Sequence, residues 1–214
     1  MATWYLEMKM MSYDKLVYKT NINLVFDNDC LASFIWVKRI DILVNLYKGR
    51  MFIPQVVVDE FSFMKRYSKY KWVYEDVVDA INTDLFKVIK IDSDHEAFFE
   101  YNKLVKKGKG KGESAAIAIA KTMDNYTACN NLKDIRPFIE NNEINNLFTF
   151  DILFEHYYKN NISIEEIEKI ISKMRNKKRK LPDIKFQDYI KENFHNIIFD
   201  DVYNDHKDIL DELD

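Results

Sequence analysis

The chain has 214 residues, 47% hydrophobic and 31% charged, with four glycines and three prolines. That composition excludes a disordered or collagen-like chain and argues against a loop-rich β-sandwich, leaving a helix-rich all-α or α/β protein of one domain with an appendage, or of two small domains. Lys and Arg number 32 against 35 Asp and Glu, a net charge of -3, so bulk positive charge drives no binding of nucleic acid and a polyanionic partner needs local basic patches.

Asn21 to Phe26 is short, apolar and β-leaning, and it stops at Asp27-Asn28-Asp29, turn and N-cap formers that carry a strand into a helix. The helix, Cys30 to Leu46, is interrupted by Lys38, Arg39 and Asp41 and ends at Lys48-Gly49-Arg50. Met51 to Ile53 predicts a second strand. Pro54 suits the first turn of the next helix, along which Val56, Val57, Glu60, Phe61 and Met64 fall at helical offsets. A helix over Tyr67 to Asn82 and an alternating strand over Leu85 to Ile91 repeat the rhythm, and Ser93 with Glu96 has the spacing of a capping box for a further helix. That helix ends in the Lys/Gly run Lys106 to Gly112. Glu113 to Met123 predicts a helix of small residues, Tyr126 to Cys129 a short strand, Lys133 to Glu140 a helix and Asn146 to Phe150 a last strand.

Strands alternating with helices, through connections long enough for crossovers, predict an α/β fold with a parallel sheet between helices. No strand signal follows Phe150. Ser163 and Glu166 form a second capping-box pattern, and Ile164, Ile167, Ile170, Ile171 and Met174 share one apolar face, which the domain itself, a second copy or an inhibitor protein must cover. Asp183 to Phe194 reads as helical, and Asp200 to Asp214 holds seven acids against one Lys. The expected division is an N-terminal extension over 1–20, an α/β domain over 21–155 and a helical extension with an acidic tail over 156–214. Two cysteines are too few for a disulfide scaffold, no apolar run approaches the roughly 18 residues of a membrane span, and the N-terminus lacks a charged segment before an apolar core, so a reduced, cytoplasmic chain off the membrane is expected.

In an open parallel sheet, ligands bind outside the carboxyl ends of the strands. Asp27 and Asp29 follow the first strand, Asn130 and Asn131 follow the fourth, Glu60 lies under two turns past Pro54, and Glu113 opens a helix. These elements can deliver Asp27, Glu60, Glu113 and a fourth acid or amide to one cleft, whose hard oxygen ligands suit Mg²⁺ or Mn²⁺. A plainer reading makes Asp27 a helix cap and Glu113 a partner of a helix dipole. The histidines His95, His156, His195 and His206 are scattered and form no metal spacing with one another or with Cys30 and Cys129.

Leu24-Val25-Phe26-Asp27-Asn28-Asp29-Cys30-Leu31, Ile53-Pro54-Gln55-Val56-Val57-Val58-Asp59-Glu60-Phe61 and Gly112-Glu113-Ser114-Ala115-Ala116-Ile117-Ala118-Ile119-Ala120 resemble, in that order and spacing, the three signature segments of PIN-domain nucleases. The likeness is strongest to the small prokaryotic PIN proteins, many of them toxins of toxin–antitoxin pairs, and covers about Ile22 to Phe150. It implies a parallel sheet of four or five strands sandwiched by helices; the helical C-terminal extension lies beyond the likeness. It also implies Mg²⁺- or Mn²⁺-dependent hydrolysis of RNA and an antitoxin protein as partner. Carried over by position, Asp27, Glu60 and Glu113 match the family's acids and, with Asn130, form the implied metal set, supported by Asp29, Asn131 and Asp134. Two departures stand out. Ala115 and Ala116 lie where many relatives carry a second acid, and Cys129-Asn130-Asn131 replaces a common Thr-Asp-Asp. An amide brings no charge, which leaves a second reading, a catalytically impaired PIN-like RNA-binding or regulatory protein. Lys107, Lys109 and Lys111, ahead of Glu113, are expected at the phosphates, and Lys173 to Lys180 offers a second basic contact. Tyr67, Tyr70, Trp72 and Tyr74 suit base stacking or packing against a neighbouring helix.

Overall fold

Leu24, Val25 and Phe26 are all buried, the pattern of a strand covered on both faces. In the computed structural model, which describes residues 16–194, they form β1 (Leu24–Phe26), the middle of a five-stranded parallel sheet with β2 (Met51–Pro54), β3 (Lys87–Ile89), β4 (Tyr126–Ala128) and β5 (Asn145–Leu147). The order is β3-β2-β1-β4-β5. The chain therefore winds one way from β1 through β2 to β3, then returns across the sheet to β4 beside β1, which puts the topological switch between β1 and β4.

Ten α-helices flank the sheet among the described residues: α1 (Asn28–Ile35), α2 (Ile40–Tyr47), α3 (Gln55–Ser62), α4 (Lys71–Asn82), α5 (Phe98–Lys106), α6 (Lys111–Thr122), α7 (Leu132–Glu140), α8 (Thr149–Asn160), α9 (Ile164–Asn176) and α10 (Phe186–Asn193). Side chains alternate across β1. Leu24 and Phe26 join one apolar cluster with α1 to α4 and α8 to α10, whereas Val25 joins a second with α5, α6 and α7.

Three predicted elements are corrected. The helix expected over Cys30 to Leu46 is two helices, because Lys38 adopts a left-handed φ of 59° between α1 and α2. Ser93 and Glu96 cap no helix: Ser93 Oγ donates to Asp94, Ala97 N–H donates to His95 Nδ1 at 3.1 Å, and α5 starts only at Phe98. The strand expected to reach Phe150 stops at Leu147, and Thr149 opens α8, whose first turn is capped by Asp151 Oδ2 accepting the Phe148 N–H at 2.7 Å. Every residue of α8 from Thr149 to Tyr158 is buried, so it has no polar face and shows no helical periodicity.

α8 joins the terminal helices to the sheet. Phe150 meets Phe186 and Tyr189 edge-on at 5.7 and 5.1 Å, and Phe154 stacks on Phe194 at 3.8 Å. Ile167, Ile170, Ile171 and Met174 of α9 are buried in the same cluster, so the chain covers its own apolar stripe. Glu155 fixes the other end: its carboxylate accepts N–H bonds from Val17 and Tyr18 at 2.6 and 3.0 Å and the Tyr47 hydroxyl at 2.7 Å. Leu16 and Val17, expected in an N-terminal extension, thereby belong to the core; the acidic tail over 200–214, with His195 and His206, lies outside the described residues.

Deleting residues 163–214 would uncover Phe150, Phe154 and Tyr157 together, and the expected product is insoluble or loses its cooperative thermal transition. The milder Ile171→Ala should cost about 2–5 kcal/mol in urea unfolding. A soluble, monomeric truncation with an unchanged transition would show that the C-terminal helices are dispensable to this core.

Candidate metal centre

Register decides which side chains meet at the switch. Phe26 pairs with Ala128 across β1 and β4, so Asp27 and Cys129 leave the sheet side by side, tied by the bond from Asp27 N–H to Ala128 O at 3.1 Å. Asp27 then caps α1, its Oδ1 accepting the Cys30 N–H at 2.8 Å. The capping role expected from sequence is real, and it leaves Oδ2 without that bond. Glu113, in the first turn of α6, reaches the same point: one donor atom each of Asp27, Glu113 and Cys129 lies within 4.8 Å of the others.

Glu60 stands beside this group. From α3 its Oε1 accepts the Gly112 N–H at 3.2 Å and its Oε2 accepts Asn28 Nδ2 at 2.9 Å. Gly112 permits the approach, since a Cβ there would sit 3.0 Å from Glu60 Oε1 and 3.2 Å from Val57 Cγ2. Glu60 thus pins the N-terminus of α6, where Glu113 sits, and its carboxylate lies where the helix dipole favours negative charge.

The remaining predicted residues divide. Asn131 Nδ2 donates to Glu113 Oε1 and, at 2.9 Å, to Asp134 Oδ2, so two of the three expected supporting groups, Asn131 and Asp134, lie against Glu113. Lys109, expected at the phosphates, has its ammonium drawn inward to Asp134, at 2.8 Å from the carbonyl and 3.1 Å from Oδ1. Lys107 and Lys111 are exposed. Asn130 bonds to the start of α8. Its Oδ1 accepts the Thr149 N–H at 3.0 Å and its Nδ2 donates to Thr149 Oγ1 at 2.8 Å, so the amide anchors α8 to β4 where a metal ligand was expected. Asp29 is partly exposed, 3.8 Å from Lys180.

Cys129 and Asn28 are the residues that sequence reasoning missed. From sequence Cys129 reads as a substituted threonine and as a cysteine outside any metal spacing, whereas the structure groups it with Asp27 and Glu113; the signal available is its place directly after β4, but the pairing of β4 with β1 is needed to use it.

The electrostatics follow from burial. Asp27 is 1% exposed, and burial raises its pKa to about 7 despite the bonds from Cys129 and the Cys30 N–H. Burial likewise pushes Glu113 up to about 7, with the bond to Asp134 adding to it. Burial alone would raise Asp134 too, but the bond to Glu113 and the Lys109 ammonium outweigh it and hold it low. Burial, then the Asp27 charge, lifts the Cys129 thiol. Among the described residues no Lys or Arg pairs with Asp27, Glu60 or Glu113. The arrangement is a set of carboxyl oxygens short of positive charge, which is what a hard divalent cation supplies.

A parallel sheet in this order, with acids gathered at its switch, defines a class. A family model described as a PIN domain matches residues 23–193, and the chain belongs to that family. Among solved structures, VapBC2 from Rickettsia felis, crystallised with a DNA fragment from the promoter, includes a chain similar at 16% identity over 59% of this chain and 98% of that one, with a TM-score of 0.41. None of the curated proteins matches the sequence.

Two measurements probe this centre. Asp27 has a folded pKa of about 7 against 3.8 ordinarily, so it holds its proton more tightly when folded; the stability it lends is full below about pH 3.8 and is lost as pH rises through about 7. In chelator, Asp27→Asn should therefore melt higher than wild type at pH 8, with the difference shrinking towards pH 5. The comparison cancels shared groups such as His156, held down at about 4 by burial, which pulls the other way. A difference that grows towards pH 5 would contradict the buried, unpaired acid. Separately, Lys109→Met should weaken Mn²⁺ binding by about 10- to 100-fold in calorimetric titration, the usual cost of losing a residue that orients a ligand. Unchanged Mn²⁺ affinity with weakened RNA binding would return Lys109 to the phosphate-contacting role.

Proposed function

We propose that the chain is a metal-dependent endoribonuclease that hydrolyses RNA phosphodiester bonds with Mg²⁺ or Mn²⁺, and that it acts as the toxin of a toxin–antitoxin pair in the cytoplasm. The observation that carries the reading is the meeting of Asp27 and Glu113, within 4.8 Å of each other's ligand atoms, beside Glu60 at the carboxyl edge of a PIN-domain sheet.

Asp27 and Glu113 are the residues placed to hold the cation, with the Cys129 sulfur in the same group and Glu60 next to it. When bound, such an ion supplies Lewis acidity to the phosphate and to the attacking water and offsets the charge that builds on the phosphate oxygens. The protein's own work is positioning. Asp27 is fixed by its cap on α1, Glu113 by Asn131 and Asp134, and Glu60 by Asn28 and the Gly112 N–H. None of these carboxylates has to exchange a proton with substrate. Burial raises the pKa values of Asp27 and Glu113, and ion binding favours the ionised forms.

Asn130 and Asn131 favour the second reading, a catalytically impaired protein that binds RNA, because they bring amides where relatives carry acids. Asp27 and Glu113 still meet, with Glu60 bonded to the residues beside them, which supports catalysis over that alternative. An antitoxin and a second copy of the chain are the partners that the toxin role implies.

Purified protein should cleave single-stranded RNA with Mn²⁺ and stop on addition of chelator, and Asp27→Asn should cut the rate by roughly 10²–10³-fold, the loss typical of removing one group that stabilises charge at a reacting centre. Expression of wild type, and not of Asp27→Asn, should arrest growth of a host lacking the antitoxin. Cleavage by Asp27→Asn at the wild-type rate, or in chelator, would refute the assignment.

A further inference from the structure

Aromatic rings and cations run away from the rim of the carboxylate pocket along a surface that the nuclease reading does not use. Asp29 lies in the first turn of α1 and Trp36 just past its end. Seven positions apart, they share one face of the helix, about 10 Å along its axis. The connection between α9 and α10 lies along that face. Lys180 Nζ stands 3.8 Å from Asp29 Oδ2, and the Arg179 guanidinium lies over the Trp36 ring, 5.5 Å from its centroid.

From Trp36 the series continues outward. Tyr70 and Trp72 meet it edge-on at 5.2 and 5.6 Å, and Tyr67 meets Tyr70 at 6.4 Å. Lys69 lies over Tyr70 at 5.5 Å, Arg66 over Phe63 at 4.8 Å and Lys38 over Trp72 at 4.0 Å. The cations come from two segments: Lys65, Arg66, Lys69 and Lys71 fall between Phe61 and Tyr74 without an acid among them, and six of the eight residues from Lys173 to Lys180 are basic. Lys38 and Lys71 pair with Asp76 and Glu75, and Lys65, Arg66 and Lys69 with the run at 173–180 leave a local excess in a chain of net charge -3.

Packing accounts for Trp36, Tyr70 and Trp72, which cover one another. It does not account for Tyr67, 61% exposed, or Phe63, 52% exposed, large rings left in water between like charges. A partner with both phosphates and free planar faces satisfies the two features together, and single-stranded nucleic acid has both, whereas a duplex offers phosphates but keeps its bases stacked inside.

We propose that this ridge receives the single strand of RNA leading into the carboxylate pocket, with phosphates passing Arg179 and Lys180 at the rim and bases stacking on Tyr67 and Phe63. The proposal rests on the nuclease reading and adds to it the path of the substrate. It also assigns the aromatic residues of this segment a division of labour: Trp36, Tyr70 and Trp72 are the foundation, and Tyr67 and Phe63 are the contact.

The test is fluorescence anisotropy of a short labelled oligouridine with the full chain in chelator, where no cleavage occurs. Wild type should bind, and the double variant Phe63→Ala with Tyr67→Ala should bind about 5- to 100-fold more weakly, the range for losing base–aromatic stacking. Tyr67→Phe keeps the ring and should bind as wild type does, which separates stacking from a general effect on the fold. Arg179→Gln should weaken binding and reduce its dependence on salt. Equal affinity of wild type and the double variant, or equal affinity for an RNA duplex, would overturn the proposal, and absence of any RNA affinity would assign the surface to a protein partner instead. The two readings separate cleanly. Unchanged binding with intact Mn²⁺-dependent cleavage in the double variant removes the ridge and leaves the nuclease; ridge-dependent binding without cleavage does the reverse.

Discussion

The bond from Asp27 N–H to Ala128 O closes the ladder between β1 and β4, and the candidate centre depends on it. In a parallel pair, residues opposite each other stay opposite, so fixing Phe26 against Ala128 fixes where Asp27 and Cys129 emerge. A slip of one residue would turn Leu24 and Phe26 out of one apolar cluster and Val25 out of the other, at a cost no surface interaction could offset. The placement of Asp27 and Cys129 is thus enforced by the hydrophobic core. The acids that need to be close are held close by strands that have another reason to pair.

The consequence is a centre under electrostatic tension. Burial lifts Asp27 and Glu113 to about 7, while donors that would favour the ionised forms are few and already shared. Asn28 and the Gly112 N–H satisfy Glu60, Asn131 serves Glu113 and Asp134 together, and Lys109 neutralises Asp134 one step removed from the pocket. This layering places positive charge behind the site and, among the described residues, none inside it. Burial lifts Glu155 to about 7 as well, despite the three donors that surround it, and there the carboxyl joins the residues before β1 to α2 and α8.

Much of this was legible in the sequence, and for a physical reason. Asp27 and Glu113 could be named because one follows a strand and the other opens a helix, positions that short apolar runs and turn residues mark locally, and Glu60 because of its distance from Pro54 and the PIN-like segment around it. Alternation of strands and helices gave the parallel sheet. What stayed hidden depends on contacts between distant segments. Cys129 becomes part of the centre only through the neighbouring strand, the inward turn of Lys109 depends on Asp134 lying across the loop, and Asn130 is drawn to Thr149 because α8 starts there. α8 itself was missed because it is buried on all sides, and a helix without a polar face carries no periodic signal. The residues flanking the sheet, such as Val17 on Glu155, were assigned to an extension for the same reason.

The most direct test of the central claim is the anomalous diffraction of crystals of the full chain grown or soaked with Mn²⁺. The account predicts an anomalous peak within coordination distance of Asp27 and Glu113, roughly 2.0–2.3 Å from their oxygens, at the switch between β1 and β4. A well-diffracting Mn²⁺ crystal with no peak there, or with its peak among carboxylates elsewhere on the surface, would contradict the account.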